Sequence, residues 1–117
     1  MIRSSIEHGD LWLAALDPVV AHEQGGTRPI LVVSAAEFHA WPIQMLFAVP
    51  ITSRDRGLPH HVPVGSNDLP LPSFAMPEYA RSISQRRLVR RLGRADDATL
   101  AAVNGWLRRI TGGTALP

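Results

Sequence analysis

Residues 22–29 read HEQGGTRP and gather several chemically active groups in one short stretch. The imidazole of His22 and the carboxylate of Glu23 are of the types that most often transfer protons. Arg28 carries a planar guanidinium that can hold a phosphate or carboxylate through two parallel hydrogen bonds. The two glycines would let backbone amides approach an anion closely. The stretch therefore suits acid–base chemistry on an anion, although an ion pair between Glu23 and Arg28 that merely anchors a loop would use the same residues.

A second polar segment spans residues 52–61 and reads TSRDRGLPHH. The hydroxyls of Thr52 and Ser53 could donate hydrogen bonds to an anion, or they could only cap the end of a strand. The neighbouring His60 and His61 raise the question of a metal ion. Because adjacent strand residues point to opposite faces, and because no cysteine or HExxH spacing accompanies them, we expect no metal there.

Short apolar runs separated by proline and glycine predict a mainly β fold. Residues 35–41 could form one helical turn, and Pro50 suggests that its strand lies at a sheet edge or contains a bulge. Residues 18–26 are predicted to be loop. The predicted strands are residues 10–16, 30–34, 44–52, 61–64, 73–76, 80–83 and 89–93.

The C-terminal part predicts one helix over about residues 96–110. Asp96 and Asp97 offer an N-cap and negative charge at its start. Apolar residues follow at helical spacing, two arginines close the last turn, and glycines end it; the apolar positions are Leu100, Val103, Leu107 and Ile110. With 117 residues, the chain fits one domain.

Composition narrows the class of protein. The chain has no cysteine, and its apolar runs are too short to cross a bilayer or to form a secretion signal, so a cytoplasmic location is expected. Net charge is only +2, yet all twelve basic residues are arginine. Six of them fall within residues 81–94, a segment without acidic residues. That segment could attract a polyanion, or it could be an ordinary solvated face.

Three motifs together resemble one family. GDLWLAALDPVVAHEQGGTRPILVVS, a later PITS and the segment YARSIS resemble toxins of the MazF/PemK (Kid) family of type II toxin–antitoxin systems. The likeness runs from Gly9 to about Ile110. It implies a small SH3-like β-barrel of about five to seven short strands with a C-terminal α-helix, assembled as a homodimer. It also implies a sequence-specific endoribonuclease that cleaves single-stranded RNA without a metal or other cofactor, and an antitoxin whose acidic C-terminal tail occupies the RNA groove.

The resemblance assigns residues by position. The expected catalytic residues are His22, Glu23, Arg28, Thr52 and Ser53. The expected RNA-binding residues are Gln24, Gly25, Gly26, Thr27, Arg54, Arg56, His60, Arg81 and Ser84. This chain departs from the family at Ala21, where glycine is frequent, and at Ser84, where the Kid branch has a catalytic aspartate. The second departure leaves open whether His22 or Glu23 is the general base.

Two other functions remain open at this stage. The same superfamily contains CcdB-like toxins, which bind DNA gyrase through an aromatic C-terminal tail and cut no RNA; the ending GGTALP favours the nuclease. The second is RNA binding without cleavage, which stays open because Ser84 stands where the Kid branch has a catalytic aspartate.

Overall fold

The computed structural model describes residues 6–16 and 26–113, which form a mainly β structure with a C-terminal helix. The strands are β1 (Asp10–Leu16), β2 (Gly26–Val32), β3 (Met45–Thr52), β4 (Val62–Pro63), β5 (Phe74–Ala75), β6 (Arg81–Ser84) and β7 (Leu88–Arg94). The helices are α1 (Ala36–His39) and α2 (Asp97–Ile110), and 3₁₀ turns cover Pro77–Tyr79 and Gln85–Arg87. Within these residues, no helix is both long and apolar enough to cross a lipid bilayer.

The strands form one antiparallel sheet in the order β4-β5-β3-β2-β1-β7. β6 also joins the sheet, by pairing with the first half of β3. The path is open, with the two-residue strand β4 at one end and β7 at the other. The predicted mainly β class with a C-terminal helix is confirmed, and each predicted strand has a counterpart.

The prediction that Pro50 marks a sheet edge is wrong, because β3 has neighbours on both sides. Pro50 lies opposite Ile30 of β2. On the other side, β6 pairs with β3 as far as Ala48 and β5 pairs from Ile51 onward. Pro50 occupies the gap between these two neighbours, where its carbonyl accepts a hydrogen bond from the Met76 amide (3.0 Å). A residue without an N–H is tolerated in a central strand at such a switch of partners.

Two apolar clusters cover the two faces of the sheet, since successive strand residues point to opposite sides. The first cluster includes Ala14, Ile30 and Ala48. The second includes Leu31 and Val49 together with residues of α2, which therefore packs on that face. We call the face of the sheet that carries the first cluster the barrel face, and the face that carries the second cluster the helix face.

The start of α2 agrees with the sequence prediction. Asp96 is the N-cap, and its carboxylate accepts hydrogen bonds from the backbone N–H (2.8 Å) and hydroxyl (2.6 Å) of Thr99. These bonds lower the pKa of Asp96, the hydroxyl bond having the larger effect and the small loss of hydration opposing them. Leu100 and Val103, predicted from helical spacing, are buried against the sheet. The helix is thus held at its first turn by a cap and along one side by apolar packing.

A buried carboxylate fixes the beginning of β1. Asp10 is 2% exposed, and its Oδ2 accepts from the backbone N–H of Glu7 (3.0 Å) and the indole N–H of Trp12 (3.2 Å). Its Oδ1 accepts from Arg91 on β7 (3.2 Å). The aspartate and tryptophan of the GDLW motif therefore have a structural role, joining the chain before β1 to two strands.

Candidate active site

The HEQGGTRP stretch is partly covered by the structure. His22, Glu23, Gln24 and Gly25 lie outside the described residues. The remaining residues of the stretch up to Pro29 are the first four of β2, which starts opposite Leu16 of β1. β2 therefore begins four residues before the predicted Ile30, because pairing with β1 continues the strand, and the rest of the predicted loop, residues 18–25, lies outside the described residues. Gly26 has a positive φ of 73°, a conformation that suits glycine.

Strand register brings the two polar segments together. β2 and β3 pair with Val32 opposite Ala48 and Ile30 opposite Pro50. Arg28 lies two residues before Ile30, and Thr52 lies two residues after Pro50. The pairing of β2 with β3 ends at Ile30 and Pro50, and the same register continued by two residues places Arg28 opposite Thr52. Both point to the barrel face, because residues two apart on a strand share a side.

Thr52 begins the polar loop after β3. Its hydroxyl oxygen accepts a hydrogen bond from the backbone N–H of Arg54 (3.1 Å), which is the capping contact named as the alternative to a catalytic role. A hydroxyl that accepts one bond can still donate its hydrogen to an anion. Ser53, Arg54 and Arg56 follow on the exposed part of the loop. A second turn there, closed by the Asp55 carboxylate and the Gly57 N–H (2.8 Å), keeps the loop short.

Arg81 lies on the same face as these residues. It is partly buried at the start of β6 and is directly opposite Ala48, a residue of the barrel face. Thr52 is four residues further along β3, about 13 Å at the usual rise per residue. Arg28, Thr52 and Arg81 thus lie on one face, with Arg28 on the β2 side of Thr52 and Arg81 on β6, at the level of Ala48.

Ser84 is not brought near the predicted catalytic residues. It pairs with Met45 at the opposite end of β3, seven residues or about 23 Å from Thr52. It also points away from the barrel face, because its neighbour Ile83 belongs to that face. Its hydroxyl accepts a hydrogen bond from the Arg86 N–H (3.2 Å), at the start of a 3₁₀ turn. β6 runs antiparallel to β3, so a residue late in β6 is necessarily far from the end of β3.

A carboxylate and two imidazoles form a cluster that the sequence did not predict. The Nε2 atoms of His61 and His60 lie 2.6 Å and 3.3 Å from the two carboxylate oxygens of Glu78. The reason for expecting no metal here is wrong, because His60 lies in a turn before β4 and both rings reach one carboxylate. Glu78 follows Pro77 in a segment that the sequence identified only as a break between strands, and no spacing in the sequence connects it with the histidines.

The environment of Glu78 favours its charged form. Partial burial raises its pKa, but the hydrogen bond with His61, its own backbone hydrogen bond and the nearby histidine charges act in the other direction. Together they lower the pKa below the ordinary glutamate value. Glu78 is therefore a carboxylate near neutral pH, and it faces two imidazole nitrogens.

Comparison with known proteins gives relatives over most of this chain. Residues 7–111 match the family described as PemK-like, MazF-like toxin of type II toxin-antitoxin system. Endoribonuclease EndoA of Bacillus subtilis is 29% identical over 102 residues, covering 85% of this chain and 88% of that protein. Endoribonuclease PemK of Escherichia coli is 45% identical, but over 51 residues that cover 44% of this chain and 38% of PemK.

Solved structures give the same assignment. A crystal structure of MazF from Deinococcus radiodurans has a TM-score of 0.77 and 33% identity, covering 91% of this chain and 94% of that one. A structure of MazE-MazF from the same organism has a TM-score of 0.77 and 31% identity, covering 93% and 97%. The chain therefore belongs to the MazF/PemK family of type II toxin–antitoxin toxins.

Proposed function

We propose that this chain, an endoribonuclease of the toxin family, cleaves single-stranded RNA without a metal ion, using the 2′-hydroxyl at the cut site and leaving a cyclic phosphate. The observation that carries the proposal is the register of β2 and β3, which makes Arg28 and Thr52 neighbours on one face. A cation beside a hydroxyl donor is the arrangement that phosphate chemistry needs.

Each step of the reaction has a candidate group. A base must take the 2′-hydroxyl proton, and His22 and Glu23 remain the candidates for that role. Arg28 would hold the phosphate and stabilise the negative charge that develops on its oxygens, while Thr52 and Ser53 donate hydrogen bonds. Arg28 is a poor proton donor because arginine stays protonated in proteins, so its role is electrostatic.

The proposed RNA surface extends from this centre along the barrel face and the loop after β3. Arginines at both ends would neutralise phosphates on either side of the cut. Ser84 is the exception, because it lies at the far end of β3 and on the other face. The residues we propose for RNA contact are Gln24, Gly25, Gly26, Thr27, Arg54, Arg56, His60 and Arg81.

We also propose that an antitoxin inhibits the enzyme by covering this surface. The support is the similarity to MazF in the MazE-MazF structure, together with the exposed arginines of the loop. An acidic antitoxin tail would compete with RNA for the same guanidinium groups, so its binding should weaken as salt rises. Both RNA and antitoxin would be met in the cytoplasm, where we place the activity.

We propose a homodimer as the working unit, supported by an exposed aromatic cluster. Phe38 makes edge-to-face contacts with Trp41 (5.0 Å between ring centroids) and Phe47 (5.5 Å). Trp41 and Phe47 are 50% and 47% exposed, and Ile43 nearby in the chain is 62% exposed. Large apolar side chains grouped on a surface generally mark an interface, and symmetric pairing is the commonest way to cover one.

One experiment tests the cleavage chemistry. A long RNA is incubated with purified, antitoxin-free protein, with and without a chelator, and cut sites are mapped. A short RNA containing one such site is then compared with the same RNA carrying a 2′-deoxynucleotide at the cut position. We expect chelator to leave cleavage unchanged and the deoxy substitution to stop it. Cleavage that requires added magnesium, or that proceeds at the deoxy site, would show that the proposed chemistry is wrong.

A further inference from the structure

We propose that His60, His61 and Glu78 form a binding site for one divalent transition-metal ion, with zinc as the best fit. One ligand atom from each residue lies within 4.8 Å of the other two. Two imidazole nitrogens and one carboxylate oxygen are a ligand set that zinc accepts in proteins. Nothing in the proposed cleavage chemistry needs this ion.

The observed distances are close to those of a metal-bound site. Two ligands about 2.0–2.1 Å from a tetrahedral ion are roughly 3.3 Å apart. His60 Nε2 already lies 3.3 Å from Glu78 Oε1, and the hydrogen bond from His61 to Oε2 measures 2.6 Å. An ion would replace the proton between His61 and Glu78, so these two groups need to separate by less than 1 Å, about the difference between the two distances.

His61 is the buried ligand of the cluster. Its side chain is 3% exposed, and its Nδ1 is buried without a hydrogen-bond partner among the described residues. A metal ion would bind the Nε2 that now faces Glu78, in place of its proton.

The site is open on one side and held by the fold on the other. His60 and Glu78 are 30% and 31% exposed, which gives an ion a path from solvent and leaves room for water as a further ligand. The His60 ring also meets Trp106 of α2 edge to face, with 6.1 Å between centroids. The ion would therefore fasten the end of the loop after β3 to the turn at Pro77–Tyr79, next to the helix face and not on the barrel face that carries Arg28.

The test measures zinc binding to the tag-free protein by calorimetry, without RNA. We expect one zinc ion per chain, a higher thermal midpoint with zinc than with chelator, and no response to magnesium, because imidazole ligands favour zinc, copper and nickel. Cobalt(II) should bind at the same site and give the intense visible absorption of a four-coordinate ion. Absence of saturable zinc binding would overturn the proposal.

Three variants locate the ion. Glu78→Gln keeps the shape of the side chain and removes the anionic ligand, and His60→Gln removes a partly exposed imidazole. Each should weaken zinc binding by more than the 10–100-fold that loss of an outer hydrogen-bond partner typically costs. His8→Gln removes an imidazole outside the cluster and should bind zinc as the parent does. If Glu78→Gln does not fold, the zinc affinity of His60→Gln tests the site alone. An unchanged zinc affinity in the cluster variants that fold would refute the site.

Because these measurements use no RNA, their failure is distinct from failure of the proposed cleavage reaction.

Discussion

Replacement of Arg28 by alanine should slow RNA cleavage strongly and affect folding little. Arg28 is the third residue of β2, is partly buried, and falls opposite Thr52 when the register of β2 and β3 is continued by two residues. Removing one preorganised donor to a charged transition state typically costs about 100- to 1,000-fold in rate, or roughly 2.7–4 kcal/mol. Its contribution to stability should be about 1 kcal/mol or less, as for most pairings of a charged residue near the surface.

A second substitution tests whether Arg28 and Thr52 act on one phosphate. Thr52→Val keeps the shape of the side chain and removes the hydroxyl. Residues that contact the same group are coupled, typically by about 0.5–3 kcal/mol, so the double variant should lose less activity than the product of the two single losses.

Cleavage is measured as single-turnover rates at saturating enzyme with a fluorescent RNA, and folding as the thermal midpoint. Arg108→Ala is the matched control, because it removes the same charge from the exposed last turn of α2. It should cleave at close to the parental rate. An Arg28→Ala protein that cuts as fast as Arg108→Ala would refute the catalytic role. Losses that multiply without coupling would show that Arg28 and Thr52 do not share a phosphate.

Three further outcomes follow from the structure. Asp10→Ala should lower the free energy of unfolding by about 3 kcal/mol in urea titrations, because the buried Trp12 indole N–H loses its acceptor; a loss below about 1 kcal/mol would contradict this reasoning. The lowered pKa of Asp96 means that its charge stabilises the fold above the unfolded aspartate pKa of about 3.9, and that this contribution is lost as pH falls through the lower folded value. Asp96→Asn should therefore flatten the acid side of the thermal midpoint measured against pH, whereas an unchanged acid limb would argue against the Thr99 bonds. Phe47→Asp should convert a dimer into a monomer in light scattering, and a parent protein that is already monomeric while it cuts RNA would rule out the proposed homodimer.

Elements with a local signal were predictable from the sequence. The helix α2 has an N-cap, helical spacing and terminal glycines, and it forms where these predict. β1 matches its prediction at both ends. β2 does not, because it begins at Gly26 through pairing with β1, a contact that no local pattern reveals. The prediction for Pro50 failed for the same reason. Local preference places proline at a sheet edge, whereas Pro50 lies in a central strand at the point where the pairing partner of β3 changes from β6 to β5.

The candidate site shows the same division. Arg28 and Thr52 were recognised from motifs, but their proximity depends on the register of β2 and β3. Ser84 was assigned to RNA binding through the resemblance, and the antiparallel course of β6 carries it to the other end of β3. Glu78 was overlooked because its partners His61 and His60 lie 17 and 18 residues earlier and are joined to it only by the fold.

β3 organises both proposed sites, and the alternation of its side chains keeps them apart. Thr52 belongs with the residues of β3 that point to the barrel face, while its neighbour Ile51 belongs to the helix-face cluster. Ile51 pairs with Ala75 of β5, which also pairs with Val62 of β4, directly after His61. Among the described residues, His61 and Glu78 are joined to Thr52 through the β4-β5-β3 pairing and the loop after β3. Neither is proposed to contact RNA, whereas His60 is proposed both as a metal ligand and as an RNA contact. Zinc binding and RNA cleavage should then be separable by mutation, and a Glu78→Gln variant whose cleavage rate falls as far as that of Arg28→Ala would show that the two sites are one.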